Sequence, residues 1–167
     1  MAIYVRDNFF STGITEMMNE KGEKLGELDL KSAFGSSLDI YDAGGRRMYG
    51  GKFRFFSNKW EVTQGHDSLV GVLRVRMSFL SKRFEYEAEG RGTYEITSPA
   101  FSKEYSIQRI DTQEQVASFE RTSGWLHSGA YCLENHSDDL NDYELAAVVM
   151  GVQAIRRRQS ASAGGSA

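Results

Sequence analysis

From Leu69 to Phe79 the chain alternates: Leu69, Leu73, Val75, Met77 and Phe79 fall on one face, Arg74, Arg76 and Ser78 on the other. A period of two marks a half-buried strand. Phe84 and Tyr86 alternate in the same way with Arg83, Glu85 and Glu87, and Tyr94 and Ile96 with Thr93, Glu95 and Thr97. Polar tips punctuate these stretches near Gly22 (NEKGEK), Gly45 (DAGGRR), Asp67 (QGHDSL), Gly90 (AEGRGT) and Thr112 (IDTQEQ), separated by 22 or 23 residues. That spacing equals two strands with their two turns, so the chain reads as successive hairpins. Reading outward from each tip predicts about twelve strands. They fall near residues 3–9, 14–19, 24–31, 37–42, 46–54, 59–64, 69–79, 82–88, 93–97, 103–109, 114–121 and 129–135.

The pattern changes at Leu140. From Leu145 to Ile155 every residue except Gln153 is apolar or glycine. A helix without a polar face is buried all round. The run is 11 residues, against the roughly 20 that a membrane span requires, so a core helix is expected. Asp138, Asp139 and Asp142 suit its start, with Asp139 as the expected N-cap, and Arg156 to Arg158 suit the negative end of its dipole. A long one-faced sheet closes to remove its edges, and twelve strands leave room for one helix. The expected architecture is therefore mainly β: a closed antiparallel barrel of about twelve strands wrapped around a buried C-terminal helix. Leu145, Val148, Val149, Met150, Val152 and Ile155 form the core face of that helix. The domain is expected to span residues 1–158, with the helix over about 140–158 and a disordered tail over 159–167.

Composition agrees with one domain: 167 residues, 40% hydrophobic, one proline and 17 glycines. A single cysteine, Cys132, excludes an internal disulfide and fits a reducing cytoplasm. The opening MAIYVRDNFFS has no basic stretch followed by an apolar one, so no secretory signal is expected. Net charge is −3 but uneven: residues 46–83 hold nine basic and two acidic side chains, a net of +7, between blocks of −4 each over 1–45 and 84–121.

The chain resembles the tubby C-terminal-like superfamily, in particular its LURP-one-related branch with bacterial relatives. The likeness is carried by Tyr4-Val-Arg-Asp-Asn-Phe-Phe-Ser11, Asn19-Glu-Lys-Gly22, Leu38-Asp-Ile-Tyr-Asp-Ala-Gly-Gly45 and Asp142-Tyr-Glu-Leu145 running into the apolar helix. It spans nearly the whole domain, and its motifs are strand and turn signatures. The resemblance implies a twelve-stranded barrel around a C-terminal helix, and lipid-head-group binding as in scramblases and the tubby domain. The cysteine-rich and proline-rich segments typical of scramblases are absent, which argues against scramblase activity.

Candidate chemistry is sparse. His66, His127, His136 and Cys132 match no metal-ligand spacing, so no metal or cofactor is expected. His66 reads as a solvated turn residue, Cys132 as a buried structural thiol, and Trp60 and Trp125 as packing. Glu134, Asp138, Asp139, Asp142 and Glu144 lack the order of a calcium loop and are explained by helix capping. The basic third carries the functional content. Alternation places Arg46, Lys52 and Arg54 outward, and likewise Arg74 and Arg76, with Phe53, Phe55 and Leu73 inward. Such a face attracts anionic lipid head groups, although solvated cations paired with neighbouring carboxylates are the competing reading. Net negative charge and the lack of a recognition motif argue against nucleic acid. The leading expectation is a non-catalytic cytoplasmic binding module, peripheral to a membrane. The alternatives are a structural or protein-interaction barrel, and a ligand carrier or enzyme with a site at one barrel end.

Overall fold

Each alternating stretch forms a strand close to its expected bounds. The computed structural model describes residues 1–11, 13–32, 36–77, 82–99, 102–123 and 129–164. The strands are β1 (Ala2–Arg6), β2 (Gly13–Met18), β3 (Lys24–Leu30), β4 (Ser37–Asp42), β5 (Arg47–Phe53) and β6 (Trp60–Gln64). They continue with β7 (Ser68–Met77), β8 (Lys82–Ala88), β9 (Gly92–Thr97), β10 (Tyr105–Arg109), β11 (Gln115–Thr122) and β12 (Ala130–Asn135). Sequence neighbours pair antiparallel throughout, and β1 closes onto β12 in register from Ala2↔Glu134 to Arg6↔Ala130. The barrel so formed has no free edge, as the one-faced strands require.

Helix α1 (Asp142–Ala163) packs inside against β4, β5, β6, β7 and β12. Leu145, Val148, Val149, Met150, Val152 and Ile155 are each at most 2% exposed. They meet the inward side chains of Ile3, Leu28, Ile40, Trp60, Val62, Leu73, Tyr94 and Ile96 in one continuous core. The helix has no polar face over this stretch because no side of it sees water.

Five local expectations change. Asn141, not Asp139, caps the helix: its side chain accepts from the Tyr143 N–H at 2.9 Å, while Asp139 pairs with Arg109. The helix runs to Ala163, so Gln159–Ala163, expected in the tail, are helical. Arg156 to Arg158 consequently lie before the last turn, too far from the end for the dipole to explain them. Phe55, expected inward, is 84% exposed, because β5 stops at Phe53 and the chain turns, Ser57 N–H donating to Arg54 O. Met77 is 79% exposed for a related reason: β6 begins opposite Leu73, so the end of β7 projects past the wall. Phe79, Trp125 and His127 lie outside the described residues.

Trp60 shows how closely helix and wall approach. Its indole is fully buried, and a Cβ on Gly151 would stand 2.5 Å from Trp60 Cδ1 and 2.8 Å from Cγ. Gly51 leaves the same ring room from the strand side. Ordinarily Gly→Ala inside a helix gains about 1 kcal/mol. Here overpacking against a rigid ring should outweigh that gain, and Gly151→Ala should lose about 1–3 kcal/mol in chemical denaturation. An unchanged or raised denaturation midpoint would show that the indole can move aside.

Candidate functional site at the end where the helix leaves

The two barrel ends differ in chemistry. Where α1 enters lie the polar tips, and there Arg109 pairs with both Asp111 of the β10–β11 tip and Asp139 before the helix. Here the helix is tied by a buried carboxylate. Glu144 is fully buried; its Oε1 accepts from the Tyr86 hydroxyl at 2.5 Å and Arg91 Nη2 at 2.8 Å, and its Oε2 from Arg91 Nη1 at 2.7 Å. Burial pushes the Tyr86 hydroxyl far above its ordinary pKa, so it stays protonated and donates. Asp142 Oδ1 accepts from Asn135 at 2.8 Å. Asp139, Asp142 and Glu144 thus act singly in structural bonds, and no three His, Cys, Asp or Glu side chains gather as metal donors among the described residues. Burial also raises the Cys132 thiol, leaving it protonated and a poor nucleophile.

The expected basic outer face is largely paired. Arg74 Nη2 meets Glu85 at 2.6 Å and Glu87 at 3.2 Å, Arg76 meets Glu85 at 3.1 Å, and Arg54 meets Glu61 at 2.6 Å. Arg46 sits in the turn before β5, 3.1 Å from Asp42, whose carboxyl is held below the usual range mainly by the Arg46 backbone N–H. Arg47 and Arg83 pair with Asp39 and Glu95. The acidic blocks before and after the basic third become its neighbours in the sheet, since Arg74 faces Glu85 in register and Asp39 lies on the strand beside Arg47. Of the five cations expected to form a site, Lys52 alone makes no ion pair among the described residues; Lys59 in the following turn makes none either.

Three successive arginines gather where α1 leaves. Arg158 stacks 3.4 Å from the Phe53 ring centroid and donates to Ser57 O at 3.2 Å. Arg157 lies 4.4 Å from the Phe10 ring, and Arg156 Nη1 donates to Ser102 O at 2.5 Å and the Tyr105 hydroxyl at 3.2 Å. Beside Arg158 the β5–β6 turn presents Phe55 and Phe56, which are 84% and 95% exposed with ring centroids 4.1 Å apart. Phe56 adopts φ +53°, a left-handed conformation that a bulky side chain rarely takes. Sequence reasoning missed this tip although its own strand bounds, 46–54 and 59–64, left residues 55–58 as the turn. It missed the arginines by assigning them to the dipole.

No family model and no curated protein matches the chain. A crystal structure of a protein from Arabidopsis thaliana is similar in fold, with a TM-score of 0.64 and 12% identity over 93% of this chain and 91% of that one. No helix among the described residues is long and apolar enough to cross a membrane.

Proposed function

We propose that this barrel is a non-catalytic binding module of the tubby-like, LURP-one-related type that docks peripherally on anionic phospholipid surfaces. In this reading the contact is the end where the helix leaves, not the paired outer face. The observation that carries it is the exposed Phe55–Phe56 pair, Phe56 in a left-handed conformation, beside Arg158 and on the turn that Lys52 and Lys59 flank in the chain. A phenylalanine that leaves water gains about 1.5–3 kcal/mol. Each cation near an anionic leaflet adds about 1 kcal/mol. Backbone strain held in an exposed apolar turn has no packing return within the chain, and recovers one on a partner surface.

Liposome co-sedimentation tests this, using phosphatidylserine-rich against pure phosphatidylcholine vesicles at low and high salt. Wild type should pellet with the anionic vesicles and release as salt rises. Phe55→Ser/Phe56→Ser should abolish pelleting without lowering thermal stability, since both rings are already solvated. Arg74→Gln/Arg76→Gln should bind like wild type. Pelleting lost only in the second pair would return the contact to the outer face. No pelleting by wild type at any composition would overturn the membrane reading, and the aromatic tip would then belong to a protein contact.

A further inference from the structure

At the opposite end from the aromatic tip, where α1 enters, a cleft of about 490 Å³ opens between the β8–β9 turn and the segment before the helix. Some polar groups in its wall are already committed. Arg91 spends Nη1 on Asp139 O and Glu144, and Nη2 on Val70 O and Glu144. Glu144 also accepts from Tyr86, Asp139 pairs with Arg109, and Asn141 caps the helix. Four groups in the wall remain: the Tyr49 hydroxyl, the Gln64 amide and the carboxylates of Glu89 and Asp138. None of their side chains has a hydrogen-bond or ion-pair partner among the described residues. We infer that this cleft takes an alkylammonium group, carried by a free diamine or by a lysine side chain of another protein.

Tyr49 is the telling member. It stands on β5 with only 4% of its surface exposed, paired in register with Gln64 on β6. Buried hydroxyls ordinarily find a partner, and this one has none within the chain. The described residues contain one sealed polar side-chain atom without a partner, Trp60 Nε1. The Tyr49 hydroxyl is therefore open to water, and the cleft is the opening that Tyr49 lines. Burial raises its pKa, so it remains a neutral hydroxyl able to accept as well as donate.

The uncommitted charges decide the sign of the ligand. Both are carboxylates, and the cation in the wall, Arg91, has its Nη donors occupied, so an anion meets no free positive charge. Asp142 and Glu144 in the first turn offset the positive start of the helix. A primary ammonium has three N–H donors and no acceptor, which suits two carboxylates and a hydroxyl oxygen. Leu69, Val70 and Leu140 give the wall an apolar part, against which a methylene stem can lie.

Isothermal titration calorimetry tests this with cadaverine, the uncharged diol of the same length, and a capped peptide containing one lysine. Wild type should bind cadaverine or the lysine peptide, or both, and ignore the diol. Tighter binding of cadaverine assigns the cleft to free amines, and the reverse order assigns it to a lysine of a partner. Glu89→Gln and Asp138→Asn should each weaken the ammonium probes by about tenfold, the loss of one charge-assisted contact. Neither side chain has a partner to lose, so both variants should melt with wild type. Tyr49→Phe keeps the ring in the core and removes only the hydroxyl, and should weaken binding by about fivefold. Phe55→Ser/Phe56→Ser lies at the other end and should bind cadaverine like wild type, whatever it does on vesicles. Absence of binding to both ammonium probes, or equal binding of the diol, would overturn the inference. So would wild-type affinity in Tyr49→Phe, since the carboxylates would then be attracting cations without a built site.

Discussion

Val149→Asp should yield no folded protein. Val149 is 2% exposed near the middle of α1, and its surroundings are Ile3, Val5, Leu28, Leu133, Ala146 and Met150. The small void beside it is lined by apolar side chains only, so neither a hydrogen-bond donor nor a partnered water can meet a carboxylate there. Burying an unpaired charge costs more than the roughly 5–15 kcal/mol that holds a domain of this kind together. Val149→Ile, which adds one methylene, should stay folded and measures how tightly the interior is filled. Circular dichroism and size-exclusion chromatography would show the difference. A cooperative Val149→Asp melt at the wild-type temperature would remove the claim that the helix is enclosed.

Arg91→Ala should be the most destabilising change outside the apolar core. Inside the barrel Arg91 meets both oxygens of Glu144, and Tyr86 donates a further bond to it. Arg91 also donates to Val70 O and Asp139 O, each at 3.0 Å, so it ties the β8–β9 turn to the wall and to the helix start. Removing one partner of a buried pair leaves the other uncompensated and costs about 3–5 kcal/mol. For a domain of this length that corresponds to a drop of roughly 6–20 °C in melting temperature. The double variant Arg91→Met/Glu144→Met should recover most of the loss, because both charges then leave the interior together. Were the double variant less stable than Arg91→Ala alone, the network would be contributing more than charge compensation.

Two features of the candidate sites show where reading residues in order reaches its limit. The basic third, net +7 in the sequence, loses its surplus when hairpin pairing brings Glu85 against Arg74 and Arg76, and Glu61 beside Arg54. Strand alternation places each of these cations outward but is silent on what stands across from it. Read in order, the arginines after Ile155 complement the dipole of a helix that stops with them. The five further helical residues give Arg156, Arg157 and Arg158 a different role, spread around the mouth of the barrel.

Local pattern alone determined the strands, the regular polar tips, the closed twelve-stranded architecture and the apolar helix within it. These follow from a period of two on one-faced strands and from an 11-residue run with no polar face. Both signals are carried by neighbours in the chain. Tertiary structure decided which charges are paired, which aromatics stay in water and which polar groups share a cleft. Phe53 and Phe55 have the same parity along the chain, yet one packs 5.1 Å from the Trp60 ring and the other stands in solvent. The difference is the position of the strand end relative to the barrel wall. That position depends on register across the sheet and on the residues that happen to oppose one another there.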